Sequence, residues 1–102
     1  MDQQERSLEI TFDLASATVC VRGVVDVRGA RNLRGFLEMA ALTDVRRLVV
    51  DLAEVEQLHP AGVRELDGGV RVAHALGIAV EVRAPEGSVA RRVLDHAGRP
   101  LR

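Results

Sequence analysis

Hydrophobic and polar positions alternate strictly near the start of the chain, in "LEITFDL" (8–14), where every second residue from Leu8 to Leu14 is apolar. A period of two is typical of a half-buried β-strand. After the short turn "ASA", the segment "TVCVRGVV" (18–25) predicts a second strand. We expect the two strands to pair as a hairpin.

The period then changes to that of a helix. In "VRGARNLRGFLEMAAL" (27–42), apolar residues recur every three or four positions, and arginines and a glutamate occupy the other faces. Such spacing predicts an amphipathic helix. Asp26, directly before it, is a good N-cap residue because its carboxylate can accept a hydrogen bond from a free backbone N–H.

The middle of the chain contains an apolar run without alternation, "RRLVVDL" (46–52), which is expected of a strand covered on both faces. The next segment, "AEVEQLH" (53–59), is predicted to be a loop. Helical spacing returns over 60–76, although Gly68 and Gly69 interrupt it. The pair is compatible with a turn, but the continuing apolar spacing favours a helix that approaches the sheet closely.

The chain closes with a further strand and helix. "IAVEVRA" (78–84) alternates again, and "SVARRVLDHAG" (88–98) has an N-cap serine and a final glycine, Gly98, that predicts the helix end. The order is therefore β-β-α-β-α-β-α. It predicts one α/β domain over residues 1–102, with a core at about 8–98. Helices pack on a mixed central sheet of about four to five strands.

Length and charge fit a single domain of 102 residues with a net charge of −1 and interspersed charges. No basic stripe and almost no aromatic residues are present, so we expect no nucleic-acid partner.

The single cysteine, Cys20, excludes an internal disulfide and is predicted to be a small core residue. Without a signal peptide or a long apolar segment, we expect a cytoplasmic protein that does not insert into membranes.

No set of residues predicts catalysis. The chain has no lysine, no phosphate-binding loop and no nucleophile motif, and its histidines, His59, His74 and His96, lack metal-ligand spacing. Asp26 and Asp51 both follow predicted strands, where an acid can bind a partner or merely cap a turn. We therefore expect no enzyme activity, no cofactor and no metal site.

The junction "QLHPAGV" (57–63) is the most informative short segment. Proline is favoured at the first position of a helix, so Pro60 predicts the helix start and places His59 at the cap. The N–H groups of Ala61, Gly62 and Val63 are then candidates to face solvent or a partner. His59 itself is either a pH-dependent contact, since histidine titrates near neutral pH, or a surface residue without a role.

Four strings, in order, resemble the STAS domain family of bacterial anti-sigma factor antagonists. They are "VRGVVD" (21–26), "RRLVVDLAEVEQL" (46–58), "HPAGV" (59–63) and "GIAVEVRAPEGSVARRVLDHAG" (77–98). In that family a serine-kinase anti-sigma factor binds the domain and phosphorylates the second serine of an Asp-Ser-Ser-Gly-Leu string. The resemblance implies that Ala61 occupies this phosphoacceptor position, with His59 and Pro60 before it and Gly62 and Val63 after it.

The resemblance therefore implies a protein-binding module in bacterial sigma factor regulation that is not phosphorylatable at the usual site. Its partner would be a kinase-like anti-sigma factor, bound constitutively. Charge complementarity would come from Arg64, Glu65 and Arg71. The expected partner-binding residues are Asp26, Asp51, His59, Pro60, Ala61, Gly62, Val63 and Arg64. The alternatives are a STAS subunit of a signalling scaffold or lipid-transport complex, and a small-ligand sensor. The sequence leaves the oligomeric state open.

Overall fold

The computed structural model describes residues 8–97, which form four strands and three helices in the predicted order. The predicted helix end at Gly98 lies outside the described residues. The elements are β1 (Glu9–Asp13), β2 (Thr18–Val25), α1 (Val27–Ala40), β3 (Arg47–Leu58), α2 (Pro60–Ala75), β4 (Ala79–Arg83) and α3 (Val89–His96).

The four strands form one mixed sheet in the order β1-β2-β3-β4, which confirms the predicted fold class. β1 and β2 pair antiparallel, as the predicted hairpin requires. β2, β3 and β4 run parallel. Because parallel neighbours need a crossover connection, α1 and α2 each carry the chain back along the sheet.

Strand β3 is longer than expected, and the predicted loop over 53–59 is wrong. The strand continues to Leu58, which is in register with Val25 at the end of β2. Two register shifts in this pairing, one of them between Gly23 and Val24, disturb the regular alternation. Gly23 has a φ of +95°, which only glycine adopts readily. The resulting bulges place buried residues three positions apart, at Val55 and Leu58, so the segment does not show a strand period.

One face of the sheet holds the core. Val19, Val50 and Val82 lie side by side across β2, β3 and β4, and all three are buried. The next residue of each strand points to the opposite face of the sheet, where Cys20 of β2 lies beside Asp51 of β3. Cys20 is partly exposed, so its prediction as a core residue is wrong.

Helices α1 and α2 pack against each other through small residues. Gly68 and Gly69 lie inside the continuous helix α2, as predicted, but the close approach is to α1 and not to the sheet. A Cβ atom on Gly69 would lie 3.0 Å from Cδ1 of Leu37. One on Gly68 would lie 2.7 Å from Nη1 of Arg34, so a side chain there would have to displace the guanidinium, and one on Gly69 would have to displace Leu37.

Arg34 connects the two helices. Its guanidinium donates hydrogen bonds to Glu38 on α1 at 3.1 Å and to Glu65 on α2 at 3.3 Å. These bonds, the one to Glu38 first, raise the pKa of Arg34 above its ordinary value. Arginine is charged at any physiological pH. The charge on Arg34 is therefore constant over the physiological pH range.

Helix α3 is short and is held by two fully buried residues, Ala90 and Leu94. It contacts β3, whose second half extends beyond the five residues that pair with β4. This position brings the last turn of α3 close to the start of α2. None of the helices within residues 8–97 combines the length and apolarity needed to span a bilayer.

Candidate functional site

The candidate site lies where the parallel strands β2 and β3 end and the helices α1 and α2 begin. Val25 and Leu58 pair at this edge, and the N–H of His59 donates to the carbonyl of Val25 at 2.9 Å. Ligands and partners of α/β sheets are commonly bound outside the carboxyl ends of parallel strands. We call this region the carboxyl edge.

His59 caps α2, as predicted from Pro60. Its φ of −69° and ψ of 139° are extended, and Pro60 occupies the first turn of the helix. Nδ1 of His59 accepts a hydrogen bond from the N–H of Ala61 at 3.0 Å. An imidazolium ring has no lone pair to accept this bond, so the cap requires the neutral ring with its proton on Nε2.

The start of α2 satisfies its own backbone groups. The N–H of Ala61 is bound by the His59 ring, and the N–H of Gly62 donates to the carbonyl of His59 at 2.7 Å. The prediction that these two N–H groups face solvent or a partner is therefore wrong. The surface at these two positions is therefore formed by side chains, and not by free N–H groups of an uncapped helix end.

The predicted site residues of the 59–64 segment divide by burial. His59, Pro60 and Arg64 are exposed, and Ala61 is partly exposed. Gly62 and Val63 are buried. A Cβ atom on Gly62 would lie 3.3 Å from both the Ala30 Cβ and Leu58 Cδ1, so this glycine lets α2 start close to α1.

Asp26 lies beside this segment. Its Oδ1 accepts a hydrogen bond from the N–H of Gly29 at 2.7 Å, which caps α1 as predicted. A Cβ on Gly29 would lie 3.1 Å from Leu8, which places the start of β1 at the same edge. Asp26 and His59 together border a small hollow of about 160 Å³. The structure thus brings Asp26 and His59 together.

Asp51 lies elsewhere. It is inside β3 and not at its end, and its Oδ1 accepts a hydrogen bond from the N–H of Ala53 at 2.9 Å. Seven residues of strand lie between it and His59, a distance of roughly 25 Å along the chain. Asp51 instead borders a depression of about 280 Å³ with Cys20, Arg22 and Glu54 on the open face of the sheet.

An apolar groove that sequence reasoning missed lies next to the start of α2. It measures about 460 Å³ and is lined by Leu58 and Pro60 together with Arg92, Val93, His96 and Ala97 of the α3 region. The amphipathic pattern of α3 indicated that one of its faces is buried. It gave no signal that the last turn would lie against residues 58–60.

The remaining candidates for chemistry are separated in space. His74 is exposed in the last turn of α2, and His96 is exposed in the last turn of α3. Among residues 8–97, no group of three or more histidine, cysteine, aspartate or glutamate side chains is placed to hold a metal ion.

The cap geometry gives a testable result. Replacing His59 with Ala removes the acceptor for the Ala61 N–H, and we expect the free energy of unfolding to fall by about 1 kcal/mol. Because His59→Asn keeps a hydrogen-bond acceptor, its free energy of unfolding should fall by only a few tenths of that amount. Urea denaturation measures both.

The matched control is His74→Ala, because His74 lies on the same helix and is exposed. Exposed substitutions of this kind change stability by less than about 0.5 kcal/mol. Equal losses for His59→Ala and His74→Ala would show that the cap bond contributes nothing.

Among solved structures, the chain is similar to the anti-sigma factor antagonist SpoIIAA in its unphosphorylated form. The TM-score is 0.68 at 19% identity, over 90% of this chain and 81% of that one. It is also similar to the Bacillus cell fate determinant SpoIIAA in the phosphorylated form, with a TM-score of 0.64 at 18% identity, over 90% and 84%. At these identities the likeness establishes the fold alone.

A third structure, of Mglu, matches with a TM-score of 0.58 at 29% identity; the match covers 81% of this chain but 20% of that longer protein. A comparison with curated proteins finds no match. The family model described as "Mlab, STAS domain" matches residues 8–98, nearly the whole chain. The resemblance predicted from the sequence is thereby confirmed, and the chain belongs to the STAS domain family.

Proposed function

We propose that this chain is a non-enzymatic protein-binding module that acts as an anti-sigma factor antagonist and binds its partner through the carboxyl edge. Family membership and the fold shared with the antagonist SpoIIAA support this function. The partner is a kinase-like anti-sigma factor, and binding takes place in the bacterial cytoplasm.

The contact surface consists of the exposed residues of the edge, namely Asp26, His59, Pro60 and Arg64, with the partly exposed Ala61 between them. Gly62 and Val63 are buried and shape the helix start from beneath. Asp51 is too far along β3 to belong to the same contact. The surface is therefore smaller than the set of residues predicted from the sequence.

Control by phosphorylation at this edge is absent, so binding is constitutive. The observation that carries this proposal is the chemistry of the first turn of α2, where neither Pro60 nor Ala61 has a hydroxyl group. In the family, a phosphoryl group at this position would add nearly two negative charges to the interface and repel the partner. A methyl side chain accepts no phosphoryl group.

The test is to incubate the purified chain with a purified kinase-like anti-sigma factor of the same genome, with Mg²⁺ and ATP. We expect a complex on size-exclusion chromatography that persists with ATP, and an intact mass without an added phosphoryl group. Ala61→Ser should gain one phosphoryl group and leave the complex. A phosphoryl group on the parent chain, or loss of its complex on ATP addition, would contradict the proposal.

A second candidate is a subunit of a larger assembly, such as a lipid-transport complex that uses a small STAS subunit. The description of the matching family model, "Mlab, STAS domain", favours it. Native purification of the tagged chain distinguishes the two functions: stoichiometric recovery of an ATPase with membrane components supports the assembly, and recovery of a soluble kinase supports the antagonist.

A further inference from the structure

The arginines of this protein fall into two groups. Six form ion pairs within residues 8–97, namely Arg22, Arg34, Arg47, Arg71, Arg83 and Arg91. Five others form none with a carboxylate of the described residues, namely Arg28, Arg31, Arg46, Arg64 and Arg92. Of these five, only Arg46 lies at the opposite end of the sheet, just before β3.

The four others lie on the helices that begin or end at the carboxyl edge. Arg28 and Arg31 are in the first two turns of α1, whose residue Ala30 lies beside Gly62 of α2. Arg64 is in the second turn of α2, and Arg92 borders the apolar groove. All four side chains belong to exposed residues.

Few carboxylates offset this charge. The first turns of α1, α2 and α3 contain no acidic residue. The Asp26 carboxylate caps α1 at the same edge and offsets part of this charge, and Asp95 of α3 is paired with Arg91. Glu56, near the end of β3, remains as an exposed carboxylate.

The position of Arg28 is unfavourable for the isolated protein. The N-terminal end of a helix carries partial positive charge, which disfavours a cation in the first turn, and the Asp26 carboxylate at the cap offsets only part of this cost. An acidic partner group would remove this cost. The exposed positive charge therefore fits a binding surface better than it fits a stabilising role within the monomer.

The apolar groove lies beside some of these arginines and offers a recess for a partner's side chain. Leu58, Pro60 and Val93 provide an apolar lining, and Arg92 and His96 stand at its border. Its volume of about 460 Å³ leaves room for an apolar side chain of a partner. Apolar recesses bordered by charge are where the energetically dominant anchor residues of protein interfaces insert.

We propose that the partner docks through an acidic protein segment that inserts an apolar side chain into the groove between α2 and α3. Its carboxylates face Arg92, which borders the groove, and Arg64, one helical turn after Pro60. This inference rests on the proposed function and names the chemistry of the partner surface.

Two other anionic partners fit less well. Single-stranded nucleic acid needs aromatic side chains for base stacking. The only two in the chain, Phe12 and Phe36, pack against each other beside the core, away from the groove. A bilayer needs protruding apolar side chains, whereas the apolar surface here is concave.

The test uses the full ¹⁵N-labelled chain and a synthetic amphipathic peptide of glutamate and leucine. We expect the amide signals of Leu58, Val93 and His96 to shift on titration, with weaker binding at higher salt. Peptides with glutamine in place of glutamate, or serine in place of leucine, should bind at least about tenfold more weakly, or about 1.4 kcal/mol. Anionic phosphatidylglycerol vesicles and a single-stranded oligonucleotide are the competing probes.

The variant Arg64→Glu/Arg92→Glu should also weaken peptide binding by about tenfold. Arg46→Glu is the matched control because it reverses an equally unpaired arginine at the far end of the sheet, and it should leave binding within about twofold. The ¹⁵N spectrum of each variant verifies its fold. Equal binding of the glutamine peptide, tighter binding of vesicles or oligonucleotide, no shift at the groove, or equal loss in Arg46→Glu would each overturn the inference.

Failure of this inference is distinguishable from failure of the proposed function. A kinase complex that survives Arg64→Glu/Arg92→Glu would contradict the acidic docking segment and leave the antagonist function intact. Groove binding of the acidic peptide without any kinase complex would contradict the antagonist function alone.

Discussion

Leu94→Ala is expected to lower the free energy of unfolding by about 2–5 kcal/mol, the range for removing a fully buried leucine side chain. Leu94 is 0% exposed and, with Ala90, is one of the two buried residues of α3. A helix of eight residues is not stable on its own in water. We therefore expect α3 to detach from β3 before the rest of the domain unfolds, and the apolar groove to be lost with it.

Urea denaturation measures the total loss of unfolding free energy in Leu94→Ala, and amide hydrogen exchange shows which elements lose protection. The control is Met39→Ala on α1, because Met39 is 71% exposed and should change stability by less than about 0.5 kcal/mol. A uniform loss of protection over all helices in Leu94→Ala would show that α3 is not a separate unit of stability.

Gly69→Val is expected to lower the free energy of unfolding by about 1–3 kcal/mol, because it overpacks the contact between α1 and α2. An added Cβ at this position meets Leu37 at 3.0 Å and the Cα atom of Arg34 at 3.6 Å. The 3.6 Å contact is an ordinary van der Waals distance but the 3.0 Å contact is not, so Leu37 must shift, and the two Cγ methyl groups of valine must also fit between the helices.

The matched control is Gly35→Ala, which lies inside α1 and has no atom within 4 Å of an added Cβ. Alanine is a better helix former than glycine, and we expect this variant to gain about 0.5–1 kcal/mol. Thermal unfolding of the two variants should shift in opposite directions. A stabilised Gly69→Val would show that the α1–α2 contact adapts to a larger side chain.

Sequence periodicity was sufficient for the order and type of every element, because each strand and helix contains a stretch whose apolar pattern is typical of its type. It failed in the second half of β3, where bulges against β2 replace the spacing of two by a spacing of three, from Val55 to Leu58. A bulge depends on both strands, so it cannot be recognised from the alternation of one strand alone. For the same reason Asp51 was placed at a strand end when it lies within the strand.

The candidate site was partly predictable. The His59 cap followed from local chemistry, because Pro60 fixes where the helix begins. The ring of His59 binding the Ala61 N–H was not anticipated, since it depends on the orientation of one side chain. The groove requires the position of α3 relative to β3, which no short-range pattern encodes. The sequence therefore did not predict that Arg92 borders an apolar groove.

The location of Leu8 and Ala97 has a practical consequence for work with this domain. Leu8 lies against the start of α1, and Ala97 lines the groove beside α2, so both ends of the described segment emerge at the carboxyl edge. A tag or fluorescent protein joined directly at Leu8 or Ala97 would stand next to the proposed partner surface and would mask it. Attachment through the turn at residues 14–17, at the far end of the sheet, leaves that surface accessible for immobilisation assays.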